Sequence, residues 1–211
     1  VTNTLDTRKA ALDREWRPLT DEHAAQLRRA EESFEQFEAG QTVDPIALVG
    51  AYRSGKTQLL YHLFRESWDR GIPAFYIGDS GAMLADFAAS DTPDLNEWLQ
   101  AEVDRQLRAY AKNDHGRISW FPNVDSKQKE AFVAAHASTV QQSSQTRTAL
   151  FFDEVEQSYS EYIRIMDKDD DNPLRKINDG LQDSIKVWSF GMISAYEFIG
   201  EADWGRMREV R

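Results

Sequence analysis

Ile46-Ala47-Leu48-Val49-Gly50-Ala51-Tyr52-Arg53-Ser54-Gly55-Lys56-Thr57 is the stretch on which the fold turns. Its first four residues are a continuous apolar run, the pattern of a short strand buried on both faces. Gly50 to Thr57 fits G-x-x-x-x-G-K-[ST]. From Lys56 to Arg70, Leu59, Leu60, Leu63, Phe64 and Trp68 recur at helical spacing, and Gly71 supplies a C-terminal stop. A strand that turns through glycines into a helix gathers backbone amides around a multiply charged anion, and the helix dipole favours that charge. Gly50 and Gly55 permit the turn, while Ala51, Tyr52, Arg53 and Ser54 line the loop. Lys56 brings a point charge to β- and γ-phosphates, and the Thr57 hydroxyl suits one Mg²⁺ position. Chance yields the pattern in roughly one chain of this length per hundred, and the correct flanking elements lower that further. The expected ligand is a nucleoside triphosphate with Mg²⁺, foremost ATP.

Working outward, Asn3 to Trp16 is a polar helix candidate that ends near Pro18. Thr20 suits an N-cap, Asp21 and Glu22 suit the positive helix end, and Ala24, Leu27, Phe34 and Phe37 keep a helical period up to Gly40. Residues 1–43 thus form a helical N-terminal segment and 44–211 the core. Ala74-Phe75-Tyr76-Ile77 is a second strand, and a right-handed crossover makes it parallel to the first. About seventy residues then separate Asp79 from Thr148, more than one crossover needs. They predict a helical insertion, with one helix opened by Thr92-Pro93 and another by Asp125 with Gln128, the latter ending near Ser143. Ala149-Leu150-Phe151-Phe152 is the third strand, followed by a helix through Tyr159, Tyr162, Ile163 and Met166, and Lys186 to Phe190 begins the fourth. The expected fold is α/β: a three-layer αβα P-loop NTPase with a mostly parallel sheet, a helical N-terminal segment and a helical insertion between the second and third strands.

Phe151-Phe152-Asp153-Glu154 delivers two successive carboxylates from the end of an apolar strand, where ligands of open α/β sheets bind. Asp153 would hold Mg²⁺ through water, and Glu154 would act as general base on the attacking water. Two acids opening a helix would look the same, since the dipole favours them there; pairing with the Gly50–Thr57 loop gives them weight.

Composition narrows the rest. The chain has 211 residues, no cysteine and a net charge of −11, with 17 Arg against 8 Lys. Disulfides and thiolate metal sites are excluded. His23, His62, His115 and His136 share no ligand spacing. No apolar run has the length of a membrane span, and the first residues lack the pattern of a signal peptide, so a soluble cytoplasmic protein is expected. The acid-rich, lysine-poor balance resembles that of proteins from high-salt environments. Such a surface repels nucleic acid as a whole. The local exception is Arg105 to Lys129, where Arg105, Arg108, Lys112, Arg117, Lys127 and Lys129 outnumber Asp114 and Asp125, with Tyr110, Trp120 and Phe121 interleaved. It is a nucleic-acid candidate, though helices with such charges usually just face water. Asp167 to Asp171 begins like a calcium loop, but Asn172 stands in place of glycine and Asn178 in place of the bidentate glutamate, so a solvated acidic loop is expected.

Taken in order, GAYRSGKT, LFFDEVEQ and KVWSFGMIS resemble the additional-strand, catalytic-glutamate class of P-loop ATPases, and within it AAA+ ATPases of the origin-recognition and signal-transducing kinds. The resemblance covers roughly Thr20 to Arg211 and implies ATP hydrolysis coupled to partner or subunit contacts, in DNA replication, repair or defence. It further implies that Ser194, where the family often has Asn or Thr, senses the γ-phosphate. Arg206 or Arg208 would serve as an arginine finger for a neighbouring subunit. The family continues into a further strand and a helical lid, which implies either that this is one part of a longer protein or that the lid is missing. Two alternatives stand beside this: a small-molecule kinase, in which Asp79 would orient the acceptor hydroxyl, and a nucleotide-gated assembly module with little turnover.

Overall fold

The computed structural model describes residues 21–51, 54–142, 147–153, 155, 173–181, 183–191 and 208–210. Its centre is an all-parallel sheet of β1 (Ile46–Gly50), β2 (Ala74–Ile77), β3 (Thr148–Phe152), β4 (Ser184–Gly191) and β5 (Arg208–Val210), in the order β2-β3-β4-β1-β5. Parallel neighbours cannot be joined by tight turns, so helical crossovers carry the chain from one end of the sheet back to the other. The apolar runs read as doubly covered strands are that: β2 and β3 are buried along their full length, and β1 up to Val49.

The helices are α1 (Asp21–Glu38), α2 (Lys56–Asp69), α3 (Ser80–Ala88), α4 (Leu95–Ala111), α5 (Ser126–Gln142) and α6 (Pro173–Asp179), with a 3₁₀ turn at His115–Arg117. This mixed α/β arrangement is compatible with the expected αβα layout. α2 buries Leu59, Leu60, Leu63, Phe64 and Trp68 and packs on β1 to β4. It ends where Gly71 takes φ +78, with Gly71 N–H donating to Trp68 O and Ile72 N–H to Ser67 O, the paired bonds of a Schellman stop. α1 contributes Ala30, Phe34 and Phe37 to the same core as the sheet. Cations cover its aromatic residues: Arg147 lies 3.8 Å over Phe37, and Arg70 lies 5.9 Å over Phe34 while pairing with Glu38 and Glu66 at 3.0 Å.

The insertion is three helices capped by one device. Asp79 accepts from Ala82 N–H, Asp94 from Glu97 N–H and Asp125 from Gln128 N–H, each at 2.9 Å. The Asp125 cap agrees with expectation. The helix expected to open at Thr92-Pro93 instead begins at Leu95, because Asp94 with Glu97 three residues on is a stronger N-terminal signal than Pro93. α3 was not foreseen. Aromatic rings fasten the insertion to α2: Phe64 stacks on Phe132 at 5.4 Å and Trp68 meets Tyr110 at 4.5 Å. Trp120 O also accepts from Tyr76 N–H at 3.2 Å, which blunts the free edge of β2.

Two findings concern the second half of the chain. A fifth strand, not assigned from the sequence, is formed by Arg208–Val210 and pairs with Ile46–Leu48. A three-residue strand carries too little periodicity to be seen in sequence. In addition, Lys186 is 4% exposed, and its ammonium donates to the carbonyls of Asn178 and Gly180 at 3.1 and 2.7 Å. Burial lowers its pKa to about 8, against the pull of nearby Asp179. Asn178, weighed as a calcium ligand, instead accepts from Trp188 Nε1 at 3.0 Å. Asn3 to Trp16, the Thr20 cap, the acidic run Asp167 to Asp171 and the helix through Tyr159 to Met166 lie outside the described residues. Among the described residues no helix is long and apolar enough to cross a membrane.

Candidate functional site

Because all strands run the same way, their C-terminal ends meet at one edge of the sheet. Gly50 is paired with Gly191, and Phe152 with Trp188, which in turn pairs with Ala47. Asp153 therefore sits two strands from β1 and two residues short of Gly50's level, about 12 Å away by strand spacing and rise. This edge is the one that binds ligands in open α/β sheets.

The loop from Gly50 is tight. A Cβ on Gly50 would lie 2.6 Å from Ser54 Oγ, so no side chain fits without displacing that serine. Gly55 takes φ +90 immediately before α2, a conformation that L side chains rarely adopt. Ser54 N–H donates to Ala51 O at 3.1 Å, and Leu59 N–H to Gly55 O at 3.0 Å begins the helical ladder. Lys56 folds back over the loop, its ammonium donating to the carbonyls of Gly50 and Ala51 at 2.9 Å each. A cation is thus held above a turn at a helix start, where the first amides have no intrahelical acceptor. Thr57, half-buried, follows it in the first turn of α2.

Asp153 is 3% exposed. Its N–H donates to Ile77 O at 3.0 Å, which extends the sheet one step past Phe152. Its Oδ2 accepts from the Tyr76 hydroxyl at 2.5 Å. The Tyr76 phenol is pushed well above its ordinary pKa, first by burial, then by the Asp153 carboxylate and Tyr61, so it remains a neutral donor. Tyr61, from the second turn of α2, meets Tyr76 edge to face at 4.8 Å, and its hydroxyl accepts from Asn123 N–H of the insertion at 3.2 Å.

The structure therefore brings Gly50, Ala51, Ser54, Gly55, Lys56, Thr57 and Asp153 to one edge. Tyr52, Arg53, Glu154, Ser194 and Arg206 lie outside the described residues. Arg208 opens β5 beside Ile46, at the end of β1 away from Gly50. Tyr76 and Tyr61 escaped the sequence reading, because a tyrosine in an apolar strand or helix looks like core. The available signal was a hydroxyl-bearing residue one position from the end of a buried strand.

Two weaker candidates change character. Asp79 is committed to capping α3. In the basic stretch, Arg105 pairs with Glu102 and donates to Arg117 O at 3.1 Å, Arg117 pairs with Asp114 at 3.3 Å, and Lys129 donates to Ile118 O. These three cations organise the turn between α4 and α5, while Arg108, Lys112 and Lys127 face outward. Comparison with protein-family models, curated proteins and solved structures found no match to this chain.

Proposed function

We propose that the chain binds ATP with Mg²⁺ at the Gly50–Thr57 loop and hydrolyses it. The observation that carries this is the Lys56 ammonium held over the Gly50 and Ala51 carbonyls at the sheet edge that also presents the buried Asp153. The glycine cradle and the carboxylate fit a phosphate chain and a hard cation. Mg²⁺, when bound, neutralises phosphate oxygens and fixes their geometry. Thr57 and Asp153 would hold it, directly or through water. Lys56 exchanges its carbonyl partners for phosphate oxygens, a stronger, charge-assisted contact. Glu154, next in chain to Asp153, takes the proton of the attacking water. Ser194 is the γ-phosphate sensor, and Arg206 or Arg208 serves a neighbouring molecule, so that nucleotide state governs self-association or a protein partner.

The added strand β4 between β1 and β3 supports the additional-strand class of P-loop ATPases, with AAA+ proteins as the nearest resemblance. In the kinase alternative the acceptor base would be Asp79, whose Oδ1 serves as the α3 cap. The test is product analysis with ATP and Mg²⁺. Free phosphate should appear without any acceptor, and Glu154→Gln should retain binding while turnover falls about 10²- to 10⁴-fold. A phosphorylated metabolite would mean a kinase, and nucleotide-dependent association without turnover would mean an assembly switch.

A further inference from the structure

Four groups from four parts of the chain meet beside the candidate metal seat. Tyr76 and Tyr61 are 5% and 2% exposed and Asp153 is 3% exposed. A tyrosine hydroxyl has one proton. That of Tyr76 goes to Asp153 Oδ2, and Tyr61 packs edge to face on the Tyr76 ring at 4.8 Å. Tyr61 Oη in turn accepts from Asn123 N–H. The Asn123 backbone thus fixes Tyr61, whose ring packs on Tyr76, the donor to the carboxylate. Phenylalanine would satisfy the apolar packing at both positions; a buried hydroxyl is tolerated because it is bonded.

Resting on the nucleotide-binding reading, we propose that Tyr76 is a positioning residue for the metal seat. Its hydroxyl occupies Oδ2 of Asp153, so that a cation, or the water through which Asp153 would hold it, would be left one carboxylate oxygen rather than two, and Tyr61, bonded by the Asn123 backbone, packs on the Tyr76 ring. The consequence is metal selectivity. Mg²⁺ demands near-octahedral geometry and keeps its waters, whereas Ca²⁺ accepts bidentate carboxylates and irregular shells. Engaging Oδ2 disfavours the bidentate mode. The arrangement also ties α2, which carries Thr57, to Asp153 just past the end of β3, so both candidate metal-side groups are set by one structure.

The test measures binding of a fluorescent ADP analogue to the full chain as Mg²⁺ or Ca²⁺ is raised, for the wild type, Tyr76→Phe, Tyr61→Phe and Asp153→Asn, together with binding in chelator. Tyr76→Phe should raise the Mg²⁺ concentration needed for half the effect about 10-fold, the usual scale for an outer partner of a ligand. Ca²⁺ dependence should stay the same or improve, and metal-free nucleotide affinity should not move. Tyr61→Phe should shift the Mg²⁺ to Ca²⁺ preference the same way by about 3-fold, one link further from the carboxylate. Should Tyr76→Phe not fold, Tyr61→Phe carries the test by itself. An unchanged preference in these variants, with metal response abolished in Asp153→Asn, overturns the positioning role and leaves the nucleotide reading intact. A normal metal response in Asp153→Asn removes Asp153 from the site, and the nucleotide reading of that residue falls with it.

Discussion

Asp153 and Lys186 are ionisable groups of nearly equal burial, 3% and 4% exposed, on adjacent strands of one sheet. Lys186 faces carbonyls of Asn178 and Gly180, both within ten residues of it in the chain and both at the end of α6. Its partners are backbone and local, as in a helix C-terminal cap. Asp153 is met by the hydroxyl of Tyr76, which is backed by Tyr61 of α2 and by the insertion, at the edge where the Gly50–Thr57 loop lies. Burial by itself therefore does not distinguish a candidate site from a local cap. What separates the two is where the partners come from: one cap is built by its own neighbourhood, while the other is assembled from distant segments at the end of the sheet suited to ligands.

The largest effect that would sharpen this contrast concerns Arg208, whose strand begins beside Ile46, at the end of the sheet occupied by Lys186. Its backbone is about 13 Å along the strand from Gly50, further than an arginine side chain reaches. A finger there can serve only a second molecule. Specific ATPase activity should therefore rise across a hundredfold concentration series, and Arg206→Ala with Arg208→Ala should lower it about 10³-fold. Concentration-independent activity that survives both substitutions would confine the active unit to a monomer.

Next in size is Lys56→Ala. It should weaken ATP–Mg²⁺ binding about 100-fold, since it removes a cation from the phosphate cradle, while the melting temperature of the nucleotide-free protein barely moves. Wild-type affinity in this variant would leave the Gly50–Thr57 edge no more functional than the Lys186 end.

Lys186 should behave in the opposite way, affecting stability without touching nucleotide affinity. Its folded pKa, about 8, lies below its ordinary value of 10.5. Between those values the unfolded chain binds more protons, so stability must rise with pH, by about 1 kcal/mol per unit. The contribution is complete above 10.5 and lost as pH falls through about 8. Chemical denaturation at pH 8, 9 and 10 should show this rise in the wild type and lose it in Lys186→Met, which should also cost about 1–3 kcal/mol at pH 10 by leaving two carbonyls without their donor. An unaltered slope in the variant would mean that Lys186 is solvated.

The smallest effect is expected in the insertion. With Arg105 and Lys129 bonded to backbone carbonyls and Arg117 in an exposed ion pair with Asp114, Arg108→Gln with Lys112→Gln should change nucleic-acid affinity by less than about 3-fold, near the limit of a surface charge effect. A fall of about two in the salt slope, one per lost phosphate contact, would restore this face as a nucleic-acid surface.

The local signals were legible because each is a short-range rule. Val49-Gly50 to Lys56-Thr57 announces strand, turn and helix within a dozen residues, Asp125 with Gln128 announces a helix start, and Gly71 announces a stop. Where two local signals competed, at Pro93 and Asp94, the side chain that bonds the helix amides prevailed. By itself the sequence determined the α/β class, the order of the main strands along the chain and the position of the insertion, and it singled out Lys56, Thr57 and Asp153 as candidates. Only the tertiary structure decided that β4 lies between β1 and β3, that Arg208–Val210 closes the other flank of β1, and that Lys186 is a cap. It also decided that Tyr76 and Tyr61 converge on Asp153 from segments that lie 77 residues apart at the Tyr76 bond. Periodicity and capping act over a few residues, whereas strand order and a shared proton acceptor depend on which surfaces pack together. That is a property of the whole core and leaves no spacing in the chain to read.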